Sequence, residues 1–223
     1  MLKHLAITTS LLLAGASSAE VIFTVSDQRS GSALPTPRAL STTQGTVSAP
    51  SVLPTMTYTI TGLDLTSVGG TASETIVYDV LFTQTGGTAV DFNGFGNIAV
   101  TGGGGADAQV DTTETLTATL SLNSTTFTGD IDLGIVFMAA GGNGANDQWD
   151  VIHDGGTESL AGTGPGVNIA TFAPSSFVTL DPTAGDGVNF QRFDVQVTAV
   201  PEPGSFALVG LGGLLVCARR RRG

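Results

Sequence analysis

Apolar and polar residues alternate with period two over most of the chain. Met56, Tyr58 and Ile60 alternate with Thr57, Thr59 and Thr61, and Thr115 to Leu122 repeats the pattern without a miss. Ile76, Tyr78, Val80 and Phe82 form another such row, as do Ile131, Leu133, Ile135 and Phe137, and then Phe193, Val195, Val197 and Ala199. A period of two with one apolar face is the pattern of a half-buried antiparallel strand. Val21–Ser26, Ile98–Thr101 and Gln148–His153 are weaker instances, so eight to ten strands are expected. No window of helical length between residues 20 and 199 keeps a helical apolar period, and the connections are rich in Gly, Asn, Asp and Pro, as turns require. These features predict an all-β domain over 20–199, an antiparallel β-sandwich of jelly-roll type.

One internal stretch departs from the alternation. Residues 30–55 contain Pro35, Pro37, Pro50 and Pro54 among many Ser and Thr. This segment reads as an extended surface excursion, with a disordered loop as the alternative. No internal repeat of the solenoid kind is present.

Composition sharpens the strand reading. Of the chain's residues between 20 and 201, 30 are Thr and none is Lys or Cys. Threonine's branched Cβ favours strands and its hydroxyl suits a solvent-facing position. Without cysteine the domain has no disulfides, so its stability rests on a hydrophobic core. The formal charge of −11 hides a division: 18 acids stand between residues 20 and 201 against only Arg29, Arg38 and Arg192. A body of that sign excludes nucleic-acid binding, which needs clustered Lys and Arg.

Candidate chemistry is sparse. The body has one histidine, His153, and neither a G-x-S-x-G elbow nor a cysteine nucleophile, and no pair of carboxylates is nominated by spacing. Glu74 and Glu114 each open a strand, where an exposed charge is unremarkable. The expectation is therefore a non-catalytic structural or adhesive body with no catalytic residues, the alternatives being a carbohydrate- or calcium-binding module and, below that, a secreted hydrolase acting on polysaccharide. Calcium is the better candidate ligand, because it takes six to eight oxygens from carboxylates, Asn side chains and loop carbonyls. The Gly-rich run containing Asn143, Asn146 and Asp147, followed by Asp150, offers such oxygens. Asp130 with Asp132, Asp91 with Asn93, Asp181 with Asp186, and the single Gly102–Asp107 unit are lesser sources. Trp149, His153 and Asp154 are the candidates for a ligand-facing site beside that loop, although aromatics at strand positions such as Trp149, Tyr58 and Tyr78 usually belong to the core. Asn123-Ser124-Thr125 fits a glycosylation sequon, and Gly94–Ala99 imitates a dinucleotide fingerprint but precedes a strand, where no phosphate site forms.

The two flanking stretches carry addresses. Residues 1–19 have a basic start at Lys3, an apolar run Leu5–Ala16 and small residues before a cut between Ala19 and Glu20. That is the layout of a secretory signal peptide, with export machinery and signal peptidase as partners. Residues 200–223 hold Pro201, Glu202 and Pro203, then the apolar stretch Ser205–Ala218, then Arg219, Arg220, Arg221 and Arg222. As a helix the Gly204–Ala218 stretch would span about 22 Å against a hydrocarbon core of roughly 30 Å, a short transmembrane helix. The arginines stop transfer and place the body on the outer side of the inner membrane.

This order of Pro-Glu-Pro, short apolar helix and basic cluster resembles the PEP-CTERM sorting signal of Gram-negative bacteria. The resemblance covers about 24 residues and leaves the fold of the rest untouched. It implies recognition by an exosortase, a membrane-embedded protease, with Pro201, Glu202 and Pro203 as substrate motif. It further implies an inner-membrane precursor, cleavage near that motif, and delivery to the cell surface or an extracellular matrix containing exopolysaccharide and biofilm material. Cys217 lies within the apolar stretch as part of the substrate.

Overall fold

The computed structural model describes residues 20–28, 39–48, 53–92, 97–101, 109–142, 146–162 and 166–201. Among these the chain is almost wholly strand: β1 (Val21–Gln28), β2 (Ala39–Thr42), β3 (Thr46–Ser48), β4 (Thr55–Leu63), β5 (Glu74–Thr85), β6 (Ala89–Phe92), β7 (Ile98–Thr101) and β8 (Thr115–Thr125). These are followed by β9 (Asp130–Gly142), β10 (Gln148–His153), β11 (Gly156–Ala161), β12 (Gly166–Ser175), β13 (Phe177–Ala184) and β14 (Val188–Val200). A single turn of 3-10 helix, Thr66–Val68, interrupts them. No helix among the described residues is long and apolar enough to cross a membrane. The signal-peptide residues 1–19 and the apolar stretch Ser205–Ala218 lie outside the described residues.

The strands form two antiparallel sheets. The first runs β12-β9-β14-β1-β2, with β7 also pairing β14 and β6 pairing β7; the second runs β11-β10-β13-β8-β5-β4-β3. The inward faces share one hydrophobic core. Tyr58 of β4 stacks on its cross-strand partner Tyr78 of β5 with ring centroids 5.0 Å apart. Phe193 of β14 meets Tyr58 edge-on at 6.0 Å and Phe82 at 6.1 Å, while Phe190 meets Phe82 at 5.8 Å. These edge-to-face rings join the sheets, and each such pair contributes about 1 kcal/mol beyond its buried area. A polar link also crosses the interior: the Tyr58 hydroxyl donates to the carboxylate of Asp27 on β1, both side chains being buried.

Alternation holds where the ladder is regular and fails at irregularities. The row Phe193, Val195, Val197 and Ala199 is buried throughout. In the row Ile131–Phe137, by contrast, Phe137 leaves the core. A register shift between Asp194 and Val195 opposite Val136 turns Phe137 onto the outer face. There the Arg192 guanidinium lies 4.6 Å from its ring centroid and is held by two hydrogen bonds to Asp194, at 2.9 and 2.7 Å. Leu122 is exposed because β13 reaches only as far as Thr119, leaving that end of β8 with a neighbour on one side.

The number of strands exceeds the expected eight to ten, because short polar edge strands show no alternation long enough to read. Residues 30–55 supply two of them. β2 pairs with β1 in the first sheet, and β3 pairs with β4 in the second. The chain thus crosses between sheets at one edge, through Gly45 at φ 65. A Cβ there would overlap the Thr61 carbonyl oxygen, so this tight crossing needs glycine. The β11–β12 connection crosses at the opposite edge.

Candidate functional site

The ladders set two ends. β1 begins where β14 finishes, with Val21 paired to Ala199, and the β8–β9 turn joins them there, since Asp130 pairs with Val200. Both chain segments that lead to the flanking addresses therefore leave the body at one end. The opposite end holds the β9–β10, β11–β12 and β13–β14 connections and the approach to β8.

The candidate cation loop lies at that opposite end. Asn143 falls outside the described residues, and Asn146 is exposed. Asp147 is buried and bound to neighbouring loops: Oδ1 accepts the Asp186 amide at 2.9 Å, and its carbonyl accepts the Gly162 amide at 2.6 Å. It ties three connections together, and a Cβ at Gly185, whose φ is 96, would overlap its carboxylate. Asp150 points to the outer face of the second sheet, where it accepts the Ser159 hydroxyl at 2.6 Å opposite Asp181. Among the described residues no three His, Cys, Asp or Glu side chains gather as a metal-holding group.

The ligand-facing candidates separate along β10. Trp149 is fully buried between Leu160 and Pro182 as cross-strand partners, so its ring offers no exposed stacking surface. The His153 ring lies parallel to Phe172 at 4.5 Å. Its Nδ1 accepts the Gly155 amide at 3.1 Å and its Nε2 lies 4.0 Å from Glu158. Asp154 accepts the Ser176 amide at 2.6 Å and hydroxyl at 2.9 Å, and these bonds hold its carboxyl below the usual range. It staples the β10–β11 turn to the β12–β13 turn.

Two buried carboxylates escaped the sequence reading. Glu74 and Glu114 are 4% and 2% exposed, not the solvated strand openers expected. Each closes a four-residue turn. Glu74 Oε1 accepts the Thr71 amide at 2.7 Å, and Glu114 Oε2 accepts the Asp111 amide at 3.1 Å. In both turns the side chain of the first residue accepts the amide two positions on, at Ser73 and Thr113. The sequences Thr71-x-x-Glu74 and Asp111-x-x-Glu114 carry this signal, the same reciprocal pattern that caps helices. They differ in the other carboxylate oxygen. Thr126 donates to Oε2 of Glu74, whereas Oε1 of Glu114 has no hydrogen-bond partner among the described residues. The Thr126 hydroxyl, then the Thr71 contacts, hold the Glu74 carboxyl below its ordinary value; burial pushes that of Glu114 up.

The outer face of the second sheet carries an extended polar arrangement, interrupted on β5 by Val77 and the exposed Leu81. Thr55, Thr57 and Thr59 on β4, Asp79, Thr83 and Thr85 on β5, and Thr115, Thr117, Thr119 and Ser121 on β8 share it. Cross-strand bonds order these groups: Thr57 to Asp79 at 2.6 Å, Asn123 to Asp79 at 3.0 Å, Thr85 with Thr115 at 2.7 Å, and Thr117 with Thr179 at 2.8 Å. The sequon residue Asn123 is part of this network.

At the end bearing both termini, Glu20 is exposed and Pro201 is buried, directly after β14. Ala19, Glu202, Pro203 and Arg219 to Arg222 lie outside the described residues. Residues 199–222 match the family model of the PEP-CTERM protein-sorting motif. The chain carries a PEP-CTERM sorting signal. That signal implies an exported, membrane-processed protein and exosortase-type cleavage. Comparison with curated proteins and with solved structures finds no match for the chain.

Proposed function

We propose that the chain, sorted through its PEP-CTERM motif, is a cell-surface or matrix protein whose jelly-roll-like β-sandwich is structural and adhesive, without catalysis, and rests against exopolysaccharide. The repeated crossing of the chain between sheets at both edges supports the jelly-roll reading. The observation that carries the adhesive reading is the hydroxyl-lined outer face of the second sheet, ordered by its own Thr–Thr and Thr–Asp bonds. Such a face presents donors and acceptors in a flat array at the strand spacing of about 4.8 Å. Its immobilised side chains lose little further entropy on binding. Trp149, Tyr58 and Tyr78 are buried, so recognition runs through hydroxyls rather than ring stacking. With 18 acids against three arginines between residues 20 and 201, the body repels anionic polymers, and a neutral glycan is the fitting class.

Co-sedimentation of the purified body with an insoluble neutral glucan tests this reading, with a polyuronate as the anionic control. Binding is expected to the glucan alone and to persist at high salt. Thr83→Asp with Thr119→Asp, which places two charges on the face, should weaken it by about tenfold, on the order of 1.4 kcal/mol. Equal binding by wild type and double variant would reject the face as the contact surface.

A further inference from the structure

Among the described residues the main paths of the two sheets end in four outer strands, β12 and β2 in the first and β11 and β3 in the second. An outer strand presents a row of unpaired backbone N–H and C=O groups, and folds blunt it by shortness, charge, proline or a bulge. β2 and β3 are 4 and 3 residues long. β11 has 6 residues and carries Glu158 near its middle. β12 is the exception. It runs for 10 residues, none of them charged, and among the described residues it pairs only with β9. Its one proline, Pro174, lies beyond the register shift that follows Thr171, so residues 166–171 form a regular ladder without a blunting device.

The surface beside this edge is neutral in a strongly acidic body. Ile169 is 58% exposed, the most open large hydrophobic side chain among the described residues. It stands on the outer face beside Ala139 of β9, which stands beside Arg192 of β14. Thr171 stands beside Phe137, whose ring lies under the Arg192 guanidinium, and the Arg192 charge is matched by Asp194. Residues 133–142 of β9 carry no charge either. Two bodies of the same negative sign therefore meet with least repulsion along β12, whereas a partner recognised by charge finds no counter-charge on the strand.

We propose that β12 pairs antiparallel with β12 of a second copy of this chain, about a two-fold axis through Ile169. Backbone addition of one strand to another supplies the hydrogen bonds, and alternation restricts the register. Outward residues must lie opposite outward residues, because a slip of one position would turn Ile169 against the inward Ala170. Centring on Ile169 pairs 167 with 171 and 168 with 170, all within the regular stretch, and sets the two Ile169 side chains against each other. The axis is normal to the first sheet, which becomes continuous across both copies. The hydroxyl-lined faces of the two second sheets then turn the same way and form one broader array. Such an isologous contact covers both edges at once and stops at two copies.

The test uses the full chain with Cys217→Ser, which removes its single cysteine, purified in detergent. Adding Ile169→Cys should give a disulfide-linked species of twice the chain mass on oxidation with copper phenanthroline. Directly opposed residues of antiparallel strands have Cα atoms about 4.5–5.5 Å apart, within disulfide reach. Ile22→Cys, at a 51% exposed position on β1, is the control and should remain unlinked. Ile169→Lys places two like charges at the axis and should raise the dimer dissociation constant in sedimentation by roughly tenfold or more. Its melting temperature should match the wild type, because the side chain it replaces is exposed. A wild type that stays monomeric at about 100 µM overturns the proposal, since a strand pairing weaker than that would not hold two copies together. Equal linking of the two thiol variants, or a dimer indifferent to Ile169→Lys, also overturns it. A ladder of higher oligomers would mean head-to-tail pairing of β12 with another edge such as β2, and would reject the two-fold.

Discussion

The turn Thr71–Glu74 lies at the end from which both termini leave, and Asp111–Glu114 at the opposite end. Both use a first-residue side chain to accept the amide two positions on, and a glutamate to accept the amide of the first residue. Both glutamates are buried. Yet the Glu74 carboxyl is held low and that of Glu114 is pushed high. Two things differ: Glu114 is the more strongly desolvated, and Glu74 gains the Thr126 hydroxyl. Thr126 gives Glu74 a second hydrogen-bonded oxygen, while Oε1 of Glu114 has no partner among the described residues, so desolvation outweighs its single amide bond and the nearby Asp111 charge adds to the rise. The sign of each carboxyl's shift is set by the balance of desolvation against hydrogen bonds to the charged form.

The largest test of this contrast is truncation. Glu74→Ala removes the acceptor of the Thr71 amide and the Thr126 hydroxyl and is expected to cost about 2 kcal/mol in urea unfolding. Glu114→Ala loses one amide bond and also removes an oxygen with no partner among the described residues, so it should cost about 1 kcal/mol or less. Equal costs would break the comparison.

The pH dependence should differ in sign. With its folded value below the unfolded one, ionised Glu74 adds stability above the ordinary glutamate range, and this is lost as pH falls through the folded value. Glu114 runs the other way: its contribution is complete below the unfolded value and is lost as pH rises through the raised folded value. In melting profiles across acid pH, Glu74→Gln should flatten the acid loss. Glu114→Gln should steepen it by removing the opposing term. Profiles that shift in parallel would contradict both assignments.

The smallest effect isolates the hydroxyl. Thr126→Val removes the second partner of Glu74 at nearly constant volume and should cost about 1 kcal/mol while raising the Glu74 carboxyl toward its ordinary value. An unchanged carboxyl titration by NMR would mean that the Thr71 contacts suffice.

Much of the fold was legible because burial on one face of a long strand leaves a period-two trace. Phe193 to Ala199 reads correctly for that reason, and the ladder places the row against the core. Phe137 misled because a bulge at Val136, in its own strand, turns the side chains after it to the other face, and the apolar pattern of residues 131–137 does not mark it. The edge strands β2 and β3 were hidden in a proline-rich stretch, too short to alternate. The candidate site was legible only as a neighbourhood. Asp147 to Asp154 are close in sequence, but extended chain separates its ends by roughly 20 Å. Asp147 thus joins the distal loops, Trp149 the core, and Asp154 the turn above Ser176.

The order of residues by itself determined the strand-rich body, its strong negative charge and the sorting signal, because each depends on local pattern or on a sum over the chain. Tertiary structure alone decided which carboxylates are buried and how fully they are bonded. It also decided that Val21 and Ala199 sit side by side and that the sorting motif begins within a central strand. Those properties depend on partners tens to more than a hundred residues away, as Glu74 depends on Thr126 and Ala199 on Val21. Local sequence does not contain them.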